Sequence, residues 1–182
     1  SFTAAAYADG PRITLLELEY DRTISPTAVF VRDDGALAFG HEAELAGKAR
    51  PDRLLLNFKQ DIGRTDPYVV GGRRIDVVDV AAAALKFVRD KARARITGFG
   101  DDTPTTITAP AVFGASGPRI DALRDAARKA GFRPDRTFVT PEPVAASIGF
   151  QSGAWPKPDF DRNAVLLVYD LGGGTFDAAA VR

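Results

Sequence analysis

Near its C-terminal end the 182-residue chain reads Val-Tyr-Asp-Leu-Gly-Gly-Gly-Thr-Phe-Asp, residues 168 to 177. In a tight strand-to-strand turn, Gly172, Gly173 and Gly174 permit positive backbone dihedrals and remove every Cβ, so that a bulky ligand can approach the main chain. Backbone N–H groups then point into an open concavity that suits phosphate oxygens. Asp170 ends the preceding strand and can serve a phosphate only through an intervening cation, for which a magnesium ion holding waters against the carboxylate fits. The glycines lead into a strand and not a helix, so the motif is not the dinucleotide fingerprint, nor is it a Walker A loop. On these residues alone, a plain glycine hairpin stays open beside a phosphate and magnesium site.

Composition narrows the remaining chemistry. Lysine plus arginine equals aspartate plus glutamate at 24 each, so there is no basic field to hold a nucleic acid. There is no cysteine, which excludes disulfides and thiolate catalysis, and the single histidine, His41, is expected as a partly exposed side chain opening a short helix. No apolar run is long enough to span a bilayer, and the first ten residues lack the regions of a signal peptide, so the chain reads as soluble and cytoplasmic. Its length is expected to bury roughly 70% of the unfolded surface. Methionine is absent even at position 1, which suggests a fragment or a processed chain.

The elements that must position the glycine motif follow from periodicity. Strands are predicted at 2–8, 11–18 and 27–32, joined by short turns as an antiparallel meander with a polar corner at 20–26, then a short helix at 41–46. Residues 51–75 read as loop with short strands. From Asp76 to about Ile96, Val77, Ala81, Ala84, Val88 and Ala92 share one face of an amphipathic helix whose C-terminal basic cluster suits the helix dipole better than a ligand. A buried strand at 105–110 precedes a helix capped by Ser116, striped by Ile120, Leu123, Ala127 and Ala130 and stopped by Gly131. Another strand leads to Thr140 as N-cap with Pro141 at the first helical position. After a Pro- and Gly-rich break, the strands around the glycines close the chain. This order asks for a mixed sheet covered by helices, an α/β fold.

A short internal echo joins the two ends: Ser-Phe-Thr-Ala-Ala-Ala-Tyr at 1–7 resembles Thr-Phe-Asp-Ala-Ala-Ala-Val at 175–181. If the second is the return strand of a hairpin, so is the first, and its partner strand and glycine turn are expected before Ser1.

Val-Leu-Leu-Val-Tyr-Asp-Leu-Gly-Gly-Gly-Thr-Phe-Asp resembles the second phosphate motif of the seventy-kilodalton heat-shock chaperones (Hsp70), the DnaK-like family. Companion segments follow in the family's order: residues 21–43, the stretch Asn-Phe-Lys-Gln-Asp-Ile-Gly-Arg at 57–64, Thr-Thr-Ile-Thr-Ala-Pro-Ala-Val-Phe at 105–113 and Thr-Pro-Glu-Pro-Val-Ala-Ala-Ser-Ile-Gly-Phe at 140–150. The resemblance implies a ribonuclease-H-like, actin-like ATPase fold with ATP or ADP and Mg2+ in a cleft. Residues 1–150 would be lobe I without its first strand and first phosphate loop, 151–162 a connection, and 163–182 the first hairpin of lobe II. It further implies that Gly172, Gly173, Gly174 and Thr175 contact phosphates and that Asp170 and Glu142 hold magnesium through water. Lys59 would meet the terminal phosphate and place the attacking water, while Pro110 and Arg119 would couple nucleotide state to substrate release.

The parent is then expected to be a stress-response chaperone that hydrolyses ATP to control its binding of client peptides, with client and co-chaperone contacts in parts of the parent absent here. The stretch between Arg64 and Thr105 is shorter than usual in the family. With half of the phosphate clamp missing, these 182 residues are expected to be nearly inactive, and their exposed strand edges to self-associate. The rival readings are an actin-like filament-forming ATPase and a non-catalytic nucleotide-binding module.

Overall fold

The computed structural model describes residues 1–10, 12–151, 165–171 and 176–181. The first strand is broken at Ala5 into β1 (Phe2–Ala4) and β2 (Ala6–Asp9). β2 turns at Gly10 into β3 (Arg12–Leu15), antiparallel, with Ala6 opposite Leu15. β1 pairs instead with β4 (Ile24–Pro26), antiparallel, with Phe2 opposite Pro26. The expected polar corner is therefore shorter than predicted. Tyr20 and Asp21, with φ of 47° and 61°, complete a tight turn closed by a bridge from Glu19 to Arg22, and the chain is extended again by Ile24.

Only Thr27 separates β4 from β5 (Ala28–Val31), which is buried along its whole length. A continuous apolar run means cover on both faces. Val29 joins the main core beneath the long helix, while Ala28 and Phe30 meet Ala43 of α1 (His41–Ala49). β5 pairs antiparallel with β6 (Leu37–Phe39) and with β7 (Leu54–Leu56), which makes a three-stranded sheet in place of the simple meander. His41 opens α1 half-exposed, as expected, and the helix runs to Ala49.

Residues 58–61 form a 3-10 turn, followed by the hairpin of β8 (Tyr68–Val70) and β9 (Arg73–Ile75). α2 (Val77–Arg95) supplies Val77, Val80, Ala81 and Ala82 to the core, together with Phe39, Phe58, Ile62, Ala109, Phe113, Ile120 and Leu123. Its basic end is engaged within the protein: Arg89 and Arg93 pair with Asp101, and Arg95 with Glu17. This agrees with the reading of that cluster as structural.

β10 (Thr105–Ala109) and β11 (Thr137–Pro141) are parallel neighbours joined through α3 (Pro118–Lys129), as a parallel pair requires. Two expected caps are corrected here. α3 is capped by Gly117, φ 110°, with Pro118 at its first position, so Ser116 lies one residue too early. The ladder of β10 with β11 runs on to Ala109 opposite Pro141, so Pro141 ends a strand and α4 (Glu142–Gln151) begins one residue later. Finally β12 (Leu166–Leu171) and β13 (Phe176–Val181) pair antiparallel, from Leu166 opposite Val181 to Leu171 opposite Phe176, the hairpin expected around the glycines. Among the described residues no helix is long and apolar enough to cross a membrane.

Candidate functional site

Lys59 sits on the 3-10 turn Phe58–Asp61, between two buried anchors, Phe58 at 3% and Ile62 at 7% exposure. Both are sunk in the main core, which holds the turn and directs the intervening lysine outward. Its Nζ donates to Oε1 of Glu142 at 2.5 Å, across 83 positions of sequence. Glu142 opens α4 at the end of β11, where the helix N-terminus favours a carboxylate. Both side chains are mostly enclosed, so the ion pair is screened less than a surface pair.

Pro110 follows β10 directly and is buried. It leads into the 3-10 turn Ala111–Phe113, whose Phe113 ring lies 5.2 Å beneath the Arg119 guanidinium. Arg119 also abuts Gly63, four residues after Lys59: a Cβ on Gly63 would stand 2.8 Å from Arg119 Cγ and 3.1 Å from its Cα. Gly63 has φ +93°, so sterics and backbone both demand glycine there. The lysine turn, Pro110 and Arg119 thus form one contiguous wall.

A second tie on the lysine turn was not read from the sequence. Tyr68 donates its hydroxyl to Oδ2 of Asp61 at 2.5 Å, and Arg64 lies 5.7 Å from its ring centre. Burial, reinforced by the Asp61 carboxylate, holds the Tyr68 phenol well above the ordinary tyrosine range. Glu19, also unread, is buried and accepts from Ser25 Oγ at 2.5 Å and from the His41 N–H at 3.0 and 3.1 Å, seating the start of α1. Neither had a spacing signal, because their partners lie in other elements.

Phe58, Lys59, Pro110, Phe113 and Glu142 line a common cavity of about 910 Å3 that extends along residues 1–8 and β10. α4, which carries Glu142, packs on β12 and β13, and β13 also touches the Ala111–Phe113 turn. Asp170 lies exposed near the end of β12, opposite Asp177. Gly172, Gly173, Gly174 and Thr175 lie outside the described residues. Among the described residues no group of three or more histidines and carboxylates could enclose a metal ion. The oxygen donors of Asp170 and Glu142 suit a hard cation that keeps most of its waters and takes further ligands from phosphates.

The model of the family described as Hsp70 protein matches residues 59–182. The chain is similar to the chaperone protein DnaK of Halobacterium salinarum, 34% identical over 163 residues, covering 88% of this chain and 24% of that protein. It is also similar to the chaperone protein HscA homolog of Histophilus somni, 30% identical over 190 residues, covering 92% of this chain and 29% of that protein. The HscA homolog of Methylococcus capsulatus is 30% identical over 181 residues, with 88% and 27% covered. The chain spans about a quarter of the length of these curated relatives.

Proposed function

The chain belongs to the Hsp70 family, and from that premise we propose that it is part of the ATP-binding domain of a molecular chaperone. Residues 1–150 form a ribonuclease-H-like lobe of the actin-like ATPase type, 151–162 connect, and 163–182 open a second lobe. The parent couples ATP binding and hydrolysis to the holding and release of client peptides, works with co-chaperones in the cytoplasm, and serves the stress response. The observation that carries this reading is the meeting of Lys59 and Glu142 at the mouth of a cavity bordered by Pro110.

In this reading Gly172, Gly173, Gly174 and Thr175 receive phosphate oxygens, and Asp170 and Glu142 hold Mg2+ through water. When bound, the ion neutralises charge developing on the transferred phosphoryl group. Lys59 moves its ammonium from Glu142 toward the terminal phosphate and orients the attacking water, so positioning and charge supply most of the catalysis. Pro110 and Arg119, tied to the lysine turn through Phe113 and Gly63, pass the state of the phosphates to the rest of the chaperone.

Calorimetric titration of magnesium-ATP into the full-length protein, beside Asp170→Ala, tests the proposal. The expected result is binding that weakens at least about tenfold on substitution, since one carboxylate of the ion's shell is lost. Absence of binding would leave the family fold without its nucleotide and overturn the reading.

A further inference from the structure

The hairpin of β8 and β9 is braced at its base and at its tip. Tyr68 and Ile75, opposite one another in its register, pack against the main core, and Val70 is buried. At the tip, Gly71 lies so close to Arg53 that a Cβ would stand 3.0 Å from the guanidinium Cζ. Arg53 in turn pairs with Asp33 at 2.8 Å and donates to the Val31 carbonyl at 3.3 Å, and Arg73 donates to the Asp33 carbonyl at 2.9 Å. The hairpin is therefore tied to the end of β5, and the Tyr68 ring is held in one place.

From that place Tyr68 reaches the lysine turn. Its hydroxyl donates to Oδ2 of Asp61 at 2.5 Å, and burial together with that carboxylate keeps the phenol protonated as a donor. Asp61 and Lys59 share the 3-10 turn Phe58–Asp61, where each residue advances a third of a turn, so their side chains leave it on different faces. The bonds that close the turn are unequal. The Gln60 N–H donates to the Asn57 carbonyl at 3.0 Å and the Arg64 N–H to that of Asp61 at 2.8 Å, but the Ile62 N–H stands 3.4 Å from the Lys59 carbonyl. Closure is weakest at Lys59 itself, so the direction of its side chain depends on ties at neighbouring residues.

Two carboxylates compete for the Lys59 ammonium: Glu142, to which it donates at 2.5 Å, and Asp61, two positions along the chain. In a loosened turn the flexible four-carbon stem of a lysine spans that separation. Capture by Asp61 would draw the ammonium away from Glu142 and from the cavity that Lys59 and Glu142 line together. We propose that Tyr68 is a positioning residue for Lys59: by holding Asp61 on the hairpin, it leaves the ammonium with Glu142 as its carboxylate partner at the cavity mouth. The consequence for turnover rests on the reading of Lys59 as the group that meets the terminal phosphate, whereas the choice of carboxylate does not.

The test therefore has two readouts, both on the full-length protein. The first is the NMR signal of lysines methylated with an isotopic label, which keeps their charge, with Lys59 assigned by loss of its signal in Lys59→Arg. Glu142→Gln should shift the Lys59 signal when Tyr68 is present and leave it in place in Tyr68→Phe, where Asp61→Asn should shift it instead. The second is ATP hydrolysis in single turnovers by unmethylated protein. Tyr68→Phe should slow it about tenfold while magnesium-ATP affinity stays within about twofold, the mark of a misplaced group and not of lost binding. Adding Asp61→Asn to Tyr68→Phe should recover most of the rate, because the competing charge is gone. A structural defect alone would leave that double variant as slow as the single one. A Lys59 signal that still follows Glu142 in Tyr68→Phe, or a rate that Asp61→Asn does not recover, overturns the proposal. A protein that neither binds nor hydrolyses ATP, yet exchanges Glu142 for Asp61 in the first readout, would overturn the nucleotide reading and uphold the positioning role of Tyr68.

Discussion

Lys59 and Glu142 meet because each is carried by an anchored element: a turn pinned by Phe58 and Ile62, and a helix start that directly follows the β10–β11 ladder. Removing either leaves a largely enclosed charge without its partner. Lys59→Ala should lower the ATPase rate of the full-length protein by about 100-fold or more, as loss of a charge-stabilising donor does. Magnesium-ATP binding should change much less, and single-turnover kinetics beside calorimetry separate the two. Equal loss of both would mean that the lysine serves binding alone. At Tyr68 the shift is upward, so the phenol stays protonated in the folded protein after the unfolded chain has begun to ionise at about pH 10. Its contribution is therefore complete below about pH 10 and fades as pH rises beyond that value. Alkaline unfolding followed by tyrosinate absorbance should show one late-titrating tyrosine that disappears in Tyr68→Phe, and its persistence would mean that the Asp61 contact is not formed in solution.

Among the elements, α1 and α2 show what could and could not be read from the sequence. α2 was legible because its apolar repeat extends over nineteen residues, and Val77, Ala81 and Ala92 are buried as the spacing required. Val80 was missed as a core residue, although it is fully buried, because the predicted stripe was drawn too narrow. Val80→Ala should cost about 2–3 kcal/mol in denaturant unfolding, a lost side chain plus an incompletely collapsed cavity. The start of α1 was not legible, since it rests on Glu19, twenty-two positions away. Gly40 at its N-cap has φ +76°, and a Cβ there would stand 2.5 Å from Ser25 Oγ and 2.7 Å from Glu19 Oε2. Gly40→Ala should therefore destabilise by about 1–3 kcal/mol through backbone strain alone, with more from displacing the carboxylate. A stability change near zero would show that the buried carboxylate does not fill that corner. Ser116 and Thr140 failed as caps for a related reason. Local preference offered a hydroxyl near each helix start, but Pro118 and the Pro141 ladder fixed the boundaries one residue later.

At the scale of the whole molecule, net charge and apolar surface decide behaviour in solution. The formal charge is zero, so little long-range repulsion keeps copies apart near neutral pH. Val165, Leu167 and Tyr169 lie on one face of β12 and its approach, each more than half exposed. Three large apolar side chains side by side on one strand face offer a surface that another copy can contact. Its alternation was visible in the sequence, but its exposure was not, because exposure depends on what packs against the opposite face. The chain should self-associate reversibly through this row, with a weight-average mass that rises with concentration in sedimentation equilibrium. Leu167→Lys places a charge at the centre of the row and should return the chain to a monomer without changing its circular dichroism. A chain that stays monomeric at high concentration would show the row to be inert, and association undiminished by Leu167→Lys would move the contact elsewhere on the molecule.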